Sequence, residues 1–214
     1  AILDRVAAAG FGSLLVTVDT AVSGIRERDI RNGLRQLSRP DARMLADFAT
    51  RPRWLADMAR VHPVHMALAE DWPEAGRSYL AQAAFLAGQI DPTLDPAGLA
   101  WLRDRWKGRL VIKGVQTPED ALRCVDCGAD GIVVSNHGGR QLDGSISPFD
   151  ALAEIVDAVG DKIEVICDGG ITRGTHVLKA LSVGAKACSG GRLYLYALAA
   201  GGQRGVERTL ANLR

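Results

Sequence analysis

The chain has 214 residues, of which 47% are apolar and 24% charged, and its formal net charge is +1. This composition excludes a largely disordered chain, because enough apolar residues are present to form a core. The balanced charge creates no field that would hold a polyanion, so no nucleic acid partner is expected. No apolar run reaches the roughly 18 residues that a membrane-spanning helix needs. Four cysteines in this length suit a reducing compartment, and we expect a cytoplasmic protein.

Short strands rich in β-branched residues alternate with amphipathic helices along the chain. A first helix closes at Gly10, and later helices begin at Thr117-Pro118 and Ser147-Pro148, where a hydroxyl can cap the helix and proline fits its first turn. Glycines close the following helices. The pattern predicts five strands, over residues 14–19, 110–113, 131–135, 163–168 and 185–190.

The strand ends are separated by about the length of one βα unit. Lys113, Asn136, Asp168 and Gly191 follow one another at intervals of 23, 32 and 23 positions. Such intervals accommodate one strand and one crossover helix, which predicts parallel pairing. An open doubly wound sheet and a (β/α)₈ barrel both have this spacing, but polar residues at the end of every strand favour the barrel. We therefore predict an α/β protein in which residues 1–214 form one partial (β/α)₈ TIM barrel domain, with about five βα units, strands 4 to 8.

A long excursion interrupts this pattern at about residues 27–108. It mixes charge with aromatic and apolar side chains, as in Arg51-Pro52-Arg53-Trp54 followed by Leu55 and Met58. One interpretation is a lid or a set of outer helices packed on the barrel. The other is an interfacial segment that makes a peripheral contact with a membrane, which in a bacterium would be the inner membrane.

The stretch that follows the third strand carries the clearest chemistry. His137 is followed by two glycines, which let the backbone approach a ligand closely, and then by Arg140, whose planar fork suits a carboxylate or a phosphate. Lys113, Asp168 and Asp19 end neighbouring strands in the same polar layer. A base beside an anion clamp is therefore predicted.

The last two strands are both followed by glycines and an arginine. Asp168-Gly169-Gly170 precedes Arg173, and Gly191 precedes Arg192. Each loop frees backbone N–H groups before a helix N-terminus, which predicts a phosphate cradle.

Lys113 could be a Schiff-base nucleophile, a phosphate contact or a charge that stabilises an anion, and the residues alone leave these open. Arg26 is either a second carboxylate clamp or a solvated surface charge.

No metal site is expected. Cys124 and Cys127 have CxxC spacing inside a helix without a second cysteine pair, so they are interpreted as buried or half-buried thiols. His62 and His65 lack a third ligand nearby. The sequence also has no glycine fingerprint of a nicotinamide or P-loop fold.

At these residues the sequence resembles the FMN-dependent α-hydroxy-acid dehydrogenases and oxidases, the family of glycolate oxidase, L-lactate dehydrogenase and (S)-mandelate dehydrogenase. The resemblance covers essentially the whole chain through the segments TVDT, RERDIRN, VIKG, GIVVSNHGGRQLDG, the DGG loop and the GR pair before LYLYALAAGG. It implies a (β/α)₈ barrel with FMN at the carboxyl face. His137 is then the active-site base, Asp19 orients it, and Arg140 and Arg26 bind the substrate carboxylate.

The resemblance also implies cofactor contacts. Lys113 would stabilise the reduced, anionic flavin, and Thr17 and Ser135 would contact the flavin ring. The ribityl chain and phosphate would be bound by Asp168, Gly169, Gly170, Arg173, Gly191 and Arg192. The implied reaction is oxidation of an L-2-hydroxy acid of the lactate or mandelate type to the 2-oxo acid. A quinone, a cytochrome or oxygen would accept the electrons, and the intact enzyme would be a homo-oligomer, a tetramer.

Two alternatives are left open. Another FMN barrel enzyme, such as type 2 isopentenyl-diphosphate isomerase, would explain the phosphate cradle and Lys113, though not His137 with two carboxylate clamps. A catalytically dead phosphate-binding module is the second. The family pattern implies three further strands before this chain and a helical tail after it, so the chain by itself is expected to be a C-terminal fragment that is inactive and unstable.

Overall fold

A computed structural model of the chain describes residues 2–22, 24–32, 41–60 and 65–213. The chain divides into two compact units. The sheet unit comprises Ala1–Gly24 and Pro92–Arg214, and the insert unit comprises Ile25–Asp91.

The strands are β1 (Ser13–Thr17), β2 (Arg109–Val115), β3 (Gly131–Val134), β4 (Glu164–Asp168) and β5 (Ala187–Ser189). The α-helices are α1 (Ile2–Ala8), α2 (Glu27–Arg31), α3 (Ala42–Ala49), α4 (Pro52–Arg60), α5 (Tyr79–Ala87), α6 (Pro96–Arg105), α7 (Pro118–Asp126), α8 (Pro148–Val159), α9 (Gly174–Val183) and α10 (Arg192–Ala211). Two short 3₁₀ helices lie at Ala67–Ala69 and Pro73–Ala75. Non-helical backbone at Gly201 and Gly202 kinks α10.

All five strands belong to one parallel sheet in the order β1-β2-β3-β4-β5. Each strand therefore pairs with the next strand in sequence, as in a barrel. A doubly wound sheet instead reverses its strand order at a switch point. The predicted partial (β/α)₈ barrel is confirmed, and the polar strand ends all lie at one edge of the sheet.

Side chains alternate between the two faces of the sheet. One face packs against the helices and forms the core of the sheet unit. Its fully buried strand residues are Leu110, Ile112, Ile132, Val134, Val165 and Cys167. The opposite face corresponds to the barrel interior, and Leu15 on it is 54% exposed. This inner face carries the candidate site at its carboxyl edge.

The predicted helix signals are mostly confirmed. The hydroxyl of Thr117 accepts a hydrogen bond from the backbone N–H of Asp120 at 3.2 Å, and Gly184 closes α9 at a φ of 114°. Ser147 precedes α8 as expected, but its hydroxyl makes no capping hydrogen bond. Its carbonyl oxygen instead accepts from the N–H groups of Asp150 and Ala151.

Four strands are shorter than predicted, while β2 extends over Arg109–Val115 instead of residues 110–113. β1 ends at Thr17, so Asp19 lies in the loop beyond the strand, although the N–H of Val18 still donates to the carbonyl of Lys113 at 3.0 Å. β5 spans only Ala187–Ser189 instead of residues 185–190. The glycines that follow Ser189 belong to the loop before α10, which is where a ligand can approach the backbone.

The insert unit is built from α2 to α5 and the two 3₁₀ helices. Phe48 and Trp54 pack with ring centroids 5.2 Å apart, and the N–H of Met66 donates to the Gln82 side chain at 2.7 Å. The unit ends earlier than the expected excursion, because α6 packs with the sheet unit. Within the described part of the chain, no helix is long and apolar enough to cross a membrane.

Candidate active site

Four of the predicted site residues lie at the carboxyl ends of neighbouring strands. Thr17 is the register partner of Lys113, Ser135 directly follows β3, and Asp168 ends β4. All four sit at positions that alternate with the core residues of their strands, so they share the inner face. The parallel sheet thus gathers residues that are far apart in sequence at one edge.

Lys113, Ser135 and Asp168 form a connected hydrogen-bond network. The Ser135 hydroxyl accepts from Lys113 Nζ at 2.8 Å and donates to Asp168 Oδ2 at 2.6 Å. Lys113 Nζ also lies 3.0 Å from Asp168 Oδ2, with the two side chains 18% and 13% exposed. A lysine placed in this way is a fixed positive charge with a carboxylate counter-ion, which favours a stable anion nearby over Schiff-base chemistry.

The Asp168 carboxyl is held in its charged form. Burial by itself raises the pKa of Asp168, but hydrogen bonds from Ser135, Lys113 and Ser189 and the positive charge of Lys113 outweigh burial. The net pKa of Asp168 is therefore lowered from its ordinary value of 3.8. Asp168 can accept hydrogen bonds at neutral pH, as a contact to ligand hydroxyl groups requires.

His137 and Asp19 form an ion pair or hydrogen bond, with His137 Nε2 2.7 Å from Asp19 Oδ1. The two side chains are 26% and 17% exposed. Because a carboxylate only accepts, it keeps the facing ring nitrogen protonated and leaves the lone pair on the other nitrogen. That arrangement is typical of a general base whose orientation and charge are supported by an acid.

The backbone of His137 adopts a left-handed conformation with a φ of 57°, which is uncommon for a residue with a side chain. Three hydrogen bonds support the loop in this conformation. The N–H of His137 donates to the Ser135 hydroxyl at 3.2 Å, and the buried Asn136 side chain accepts from the N–H of Gly139 at 3.0 Å while donating to the carbonyl of Ile146 at 3.1 Å. The loop that presents the imidazole is therefore tied to its own strand end.

The role of Asn136 was not predicted from the sequence. The signal was present, since a polar residue close to the end of a buried apolar strand is expected to be hydrogen-bonded when it is buried. A second missed residue is His176, whose Nδ1 lies 3.1 Å from the carbonyl oxygen of Gly170 and 3.3 Å from the backbone nitrogen of Thr172. His176 thus braces the loop after β4.

The loops after β4 and β5 have the features of an anion cradle. Gly169 and Gly170 have φ values of 114° and 72°. An added Cβ at Gly170 or Gly191 would meet no heavy atom within 4 Å, so the backbone there borders open space that a ligand can fill. The loops lead into α9 and α10, whose N-terminal dipoles favour an anion.

Arg192 joins this cradle to the His137 loop, because its Nη2 donates to the carbonyl oxygen of Gly138 at 2.7 Å. Three further arginines were predicted to belong to the site. Arg173 precedes α9 without a capping contact, and Arg140 is exposed on the loop three residues beyond His137. Arg26 lies in the insert unit, as the N-cap residue of α2.

The cysteines have no features of reactive thiols. All four are free, and Cys124 is buried while Cys127 is half-buried, as predicted. Burial raises the pKa of Cys124 to about 11, and it raises the pKa of Cys167 to about 11 as well, so both stay protonated thiols at neutral pH. Among the residues described, no three His, Cys, Asp or Glu side chains could together hold a metal ion. His62 lies outside those residues.

The sheet has parallel strands in barrel order, and its carboxyl edge carries a histidine–aspartate pair and an anion cradle. These features define part of a barrel enzyme site that can hold a phosphate-bearing cofactor. Residues 1–214 match the family of FMN-dependent dehydrogenases over their full length, and the chain belongs to that family.

The curated relatives include enzymes named for lactate. The chain is 46% identical over 213 residues to the L-lactate dehydrogenase of Caulobacter vibrioides, with 98% of this chain and 55% of the relative covered. It is 42% identical over 214 residues to a putative L-lactate dehydrogenase of Mycobacterium tuberculosis, with 100% of this chain and 50% of the relative covered. The chain therefore spans about half the length of the curated relatives that it matches.

The solved structures agree with this fold. The chain matches the crystal structure of the monotopic membrane protein (S)-mandelate dehydrogenase with a TM-score of 0.91 and 39% identity. The match covers 99% of this chain and 56% of that protein. A lactate oxidase of Pediococcus acidilactici matches with a TM-score of 0.75 and 33% identity, over 99% of this chain and 49% of that protein.

Proposed function

We propose that this chain forms the base-bearing and phosphate-binding part of an enzyme that oxidises an L-2-hydroxy acid of the lactate or mandelate type to the 2-oxo acid. The observation that carries the proposal is the 2.7 Å contact between His137 and Asp19, at the same sheet edge as the network of Lys113, Ser135 and Asp168. A base, its supporting acid and a fixed positive charge are the groups that this oxidation requires.

FMN is the cofactor of the family, and the residues present fit it. Glycine backbone bordering open space at Gly170 and Gly191 suits the phosphate, with Arg173 and Arg192 as its counter-charges. The ionised Asp168 suits the ribityl hydroxyls, and Thr17, Ser135 and Lys113 lie on the strand ends where the ring would rest. When bound, FMN supplies the two-electron acceptor of the reaction.

The residues of the chain supply the acid–base steps. The neutral imidazole of His137 accepts a proton from the substrate, and the carboxylate of Asp19 stabilises the imidazolium that results. Arg140 and Arg26 bind the substrate carboxylate, because a planar guanidinium can pair with both of its oxygens. The ammonium group of Lys113 stabilises negative charge that develops beside it.

The experiment uses the 214-residue chain by itself and a hybrid enzyme, in which residues 1–214 replace the corresponding segment of the Caulobacter vibrioides L-lactate dehydrogenase. Each protein is mixed with FMN under anaerobic conditions and then with L-lactate or (S)-mandelate. We expect the hybrid to bind FMN and the flavin absorbance to bleach with one of these acids. A hybrid that binds FMN and is bleached by neither acid would refute the proposal.

The same experiment addresses the two alternatives from the sequence. An isomerase of isopentenyl diphosphate needs no net oxidation of its substrate, so its flavin would not bleach with a hydroxy acid. A catalytically dead module would bind FMN and leave it oxidised under every condition.

Oxygen, a quinone and a cytochrome are then compared as electron acceptors for the bleached hybrid. Light scattering tests the predicted homo-tetramer.

We also propose that the insert unit makes a peripheral contact with a membrane. Neighbouring helices α3 and α4 expose Leu45, Trp54, Leu55 and Met58 beside Arg53 and Arg60. Exposed apolar side chains flanked by arginines suit an anionic bilayer surface. The structural relative with 39% identity is described as a monotopic membrane protein.

Flotation of the hybrid with anionic vesicles tests this contact. The triple variant Trp54→Ser, Leu55→Ser, Met58→Ser should lose vesicle binding. The matched control replaces three exposed leucines of the sheet unit, Leu122, Leu178 and Leu210, and should float as the parent does. Equal flotation of both variants would refute the contact and favour the alternative of a lid or outer helices.

A further inference from the structure

Strand β2 contains an irregularity next to the site. Its register with β3 shifts between Lys113 and Val115, and the residue at the shift, Gly114, has a φ of 102°. Such a bulge inserts one residue into a strand and changes the direction of the side chains around it. Here Lys113 stays on the inner face, while Val115 returns to the core with only 2% exposure.

The space above Gly114 is occupied by Asp19. A Cβ added at Gly114 would lie 2.9 Å from the Cβ of Asp19 and still closer to its Cγ and Oδ1. Oδ1 is the atom that contacts His137 Nε2 at 2.7 Å. The carboxylate can therefore occupy its place beside the imidazole only because residue 114 has no side chain.

We propose that Gly114 is a positioning residue that sets the location of the Asp19 carboxylate and, through it, the orientation of the His137 ring. The importance of Gly114 for catalysis rests on the proposed function, whereas its effect on the position of the Asp19 carboxylate does not. Any side chain at position 114 pushes Asp19 away from the imidazole, so the base loses the acid that fixes its proton and stabilises its charged form.

A matched control separates this effect from backbone strain. Gly10, beyond the end of α1, also has a positive φ, 76°, but an added Cβ there meets no heavy atom within 4 Å. Gly10→Ala therefore also places a side chain at a positive φ, but without displacing any group. Gly10 lies outside the residues assigned to the site.

The first test is a double-mutant cycle on the hybrid enzyme, with Gly114→Ala, Asp19→Gly and both together. We expect Gly114→Ala to reduce hydroxy-acid turnover by about 10²-fold, the scale for misplacing a catalytic group by about 1 Å. Gly10→Ala should stay within about twofold of the parent. In the Asp19→Gly background, where the overlapping atoms are gone, adding Gly114→Ala should change turnover by no more than about twofold.

The second test is independent of activity. An imidazole N–H proton that is hydrogen-bonded to a carboxylate gives a downfield proton NMR signal, and its assignment to His137 is made with His137→Gln. The signal should be lost in Asp19→Gly and in Gly114→Ala and kept in Gly10→Ala. A hybrid without turnover but with this pattern would refute the proposed function and leave the positioning role supported.

Other outcomes decide the inference directly. A Gly114→Ala variant that retains the downfield signal would overturn it, as would effects on turnover that simply multiply in the double variant. If Gly114→Ala does not fold but the double variant with Asp19→Gly does, the overlap with the carboxylate is the cause and the inference holds. If neither Gly114→Ala nor the double variant folds, Gly114 is needed for the strand itself, and the positioning role is overturned.

Discussion

His137 Nε2 and Asp19 Oδ1 are 2.7 Å apart although 118 positions separate the two residues in sequence. Asp19 follows β1 and His137 follows β3, so the intervening strand β2 sets the distance between the two loops. The loops are packed on each other there, because an added Cβ at Gly24 would overlap the backbone of Arg140 and Gln141. The base and its acid are thus held by the sheet and by direct loop contact.

Replacement of His137 by Gln should abolish flavin reduction in the hybrid enzyme while FMN stays bound. The glutamine cannot accept the substrate proton, and the proposed cofactor contacts lie on other residues. Rapid-mixing absorbance measurements with L-lactate and (S)-mandelate give the reduction rate, and equilibrium dialysis gives FMN binding. His65→Gln is the control, since His65 pairs with Glu70 in the insert unit. Parent-like reduction by His137→Gln would remove His137 from the role of base.

Replacement of Arg140 by Met should lower kcat/KM for the hydroxy acid by about 10- to 10²-fold, the value of charge-assisted hydrogen bonds worth about 1.5–3 kcal/mol. Arg26→Met should have a similar effect through the same substrate carboxylate. Arg123→Met is the control, because Arg123 is exposed on α7 and pairs with Asp120. Steady-state kinetics of the three variants measure the effects. Unchanged kcat/KM in both Arg140→Met and Arg26→Met would contradict the carboxylate clamp.

Much of the sheet unit could be predicted from the sequence. Strand content follows from local β-propensity and parallel pairing from the spacing of the strand ends, while the polar residues at those ends favour the barrel. The same spacing placed Lys113 and Asp168 at one edge, where the structure joins them at 3.0 Å. Lys113 on β2 and Asp168 on β4 flank β3, so parallel pairing brings both close to Ser135 after β3 without any knowledge of side-chain packing.

Other features depend on packing and could not be predicted in this way. The contact of Arg192 with the carbonyl of Gly138 joins two loops whose relative position no local pattern encodes. The bulge at Gly114 was likewise not predicted, because the predicted strand ends at Lys113, one residue before it. The boundary of the insert unit also differs from the expected excursion, because α6 is tied to the sheet unit by the 2.9 Å pair of Arg103 and Asp130.

Replacement of Asp168 by Asn should destabilise the hybrid by about 3 kcal/mol at neutral pH, since it leaves Lys113 without its counter-ion in a largely buried site. The pKa of Asp168 is lowered on folding from 3.8, so its charged form stabilises the fold above that value. This contribution is lost as the pH falls through the lower pKa of the folded state. Urea unfolding at several pH values should show the difference between parent and variant narrowing in acid. Asp161→Asn, at an exposed turn, is the control.

The isolated 214-residue chain should expose apolar surface and aggregate, whereas the hybrid should melt cooperatively. Five strands cover only part of an eight-stranded barrel, and Leu15 on the inner face is 54% exposed. Within the described residues β1 pairs only with β2, which leaves its other edge available for association with further strands. Dye binding, light scattering and calorimetry on both proteins measure these properties. A monomeric, FMN-loaded chain with a single cooperative transition would mean that five βα units are enough for an independent fold, and the exposed inner face would then need another explanation.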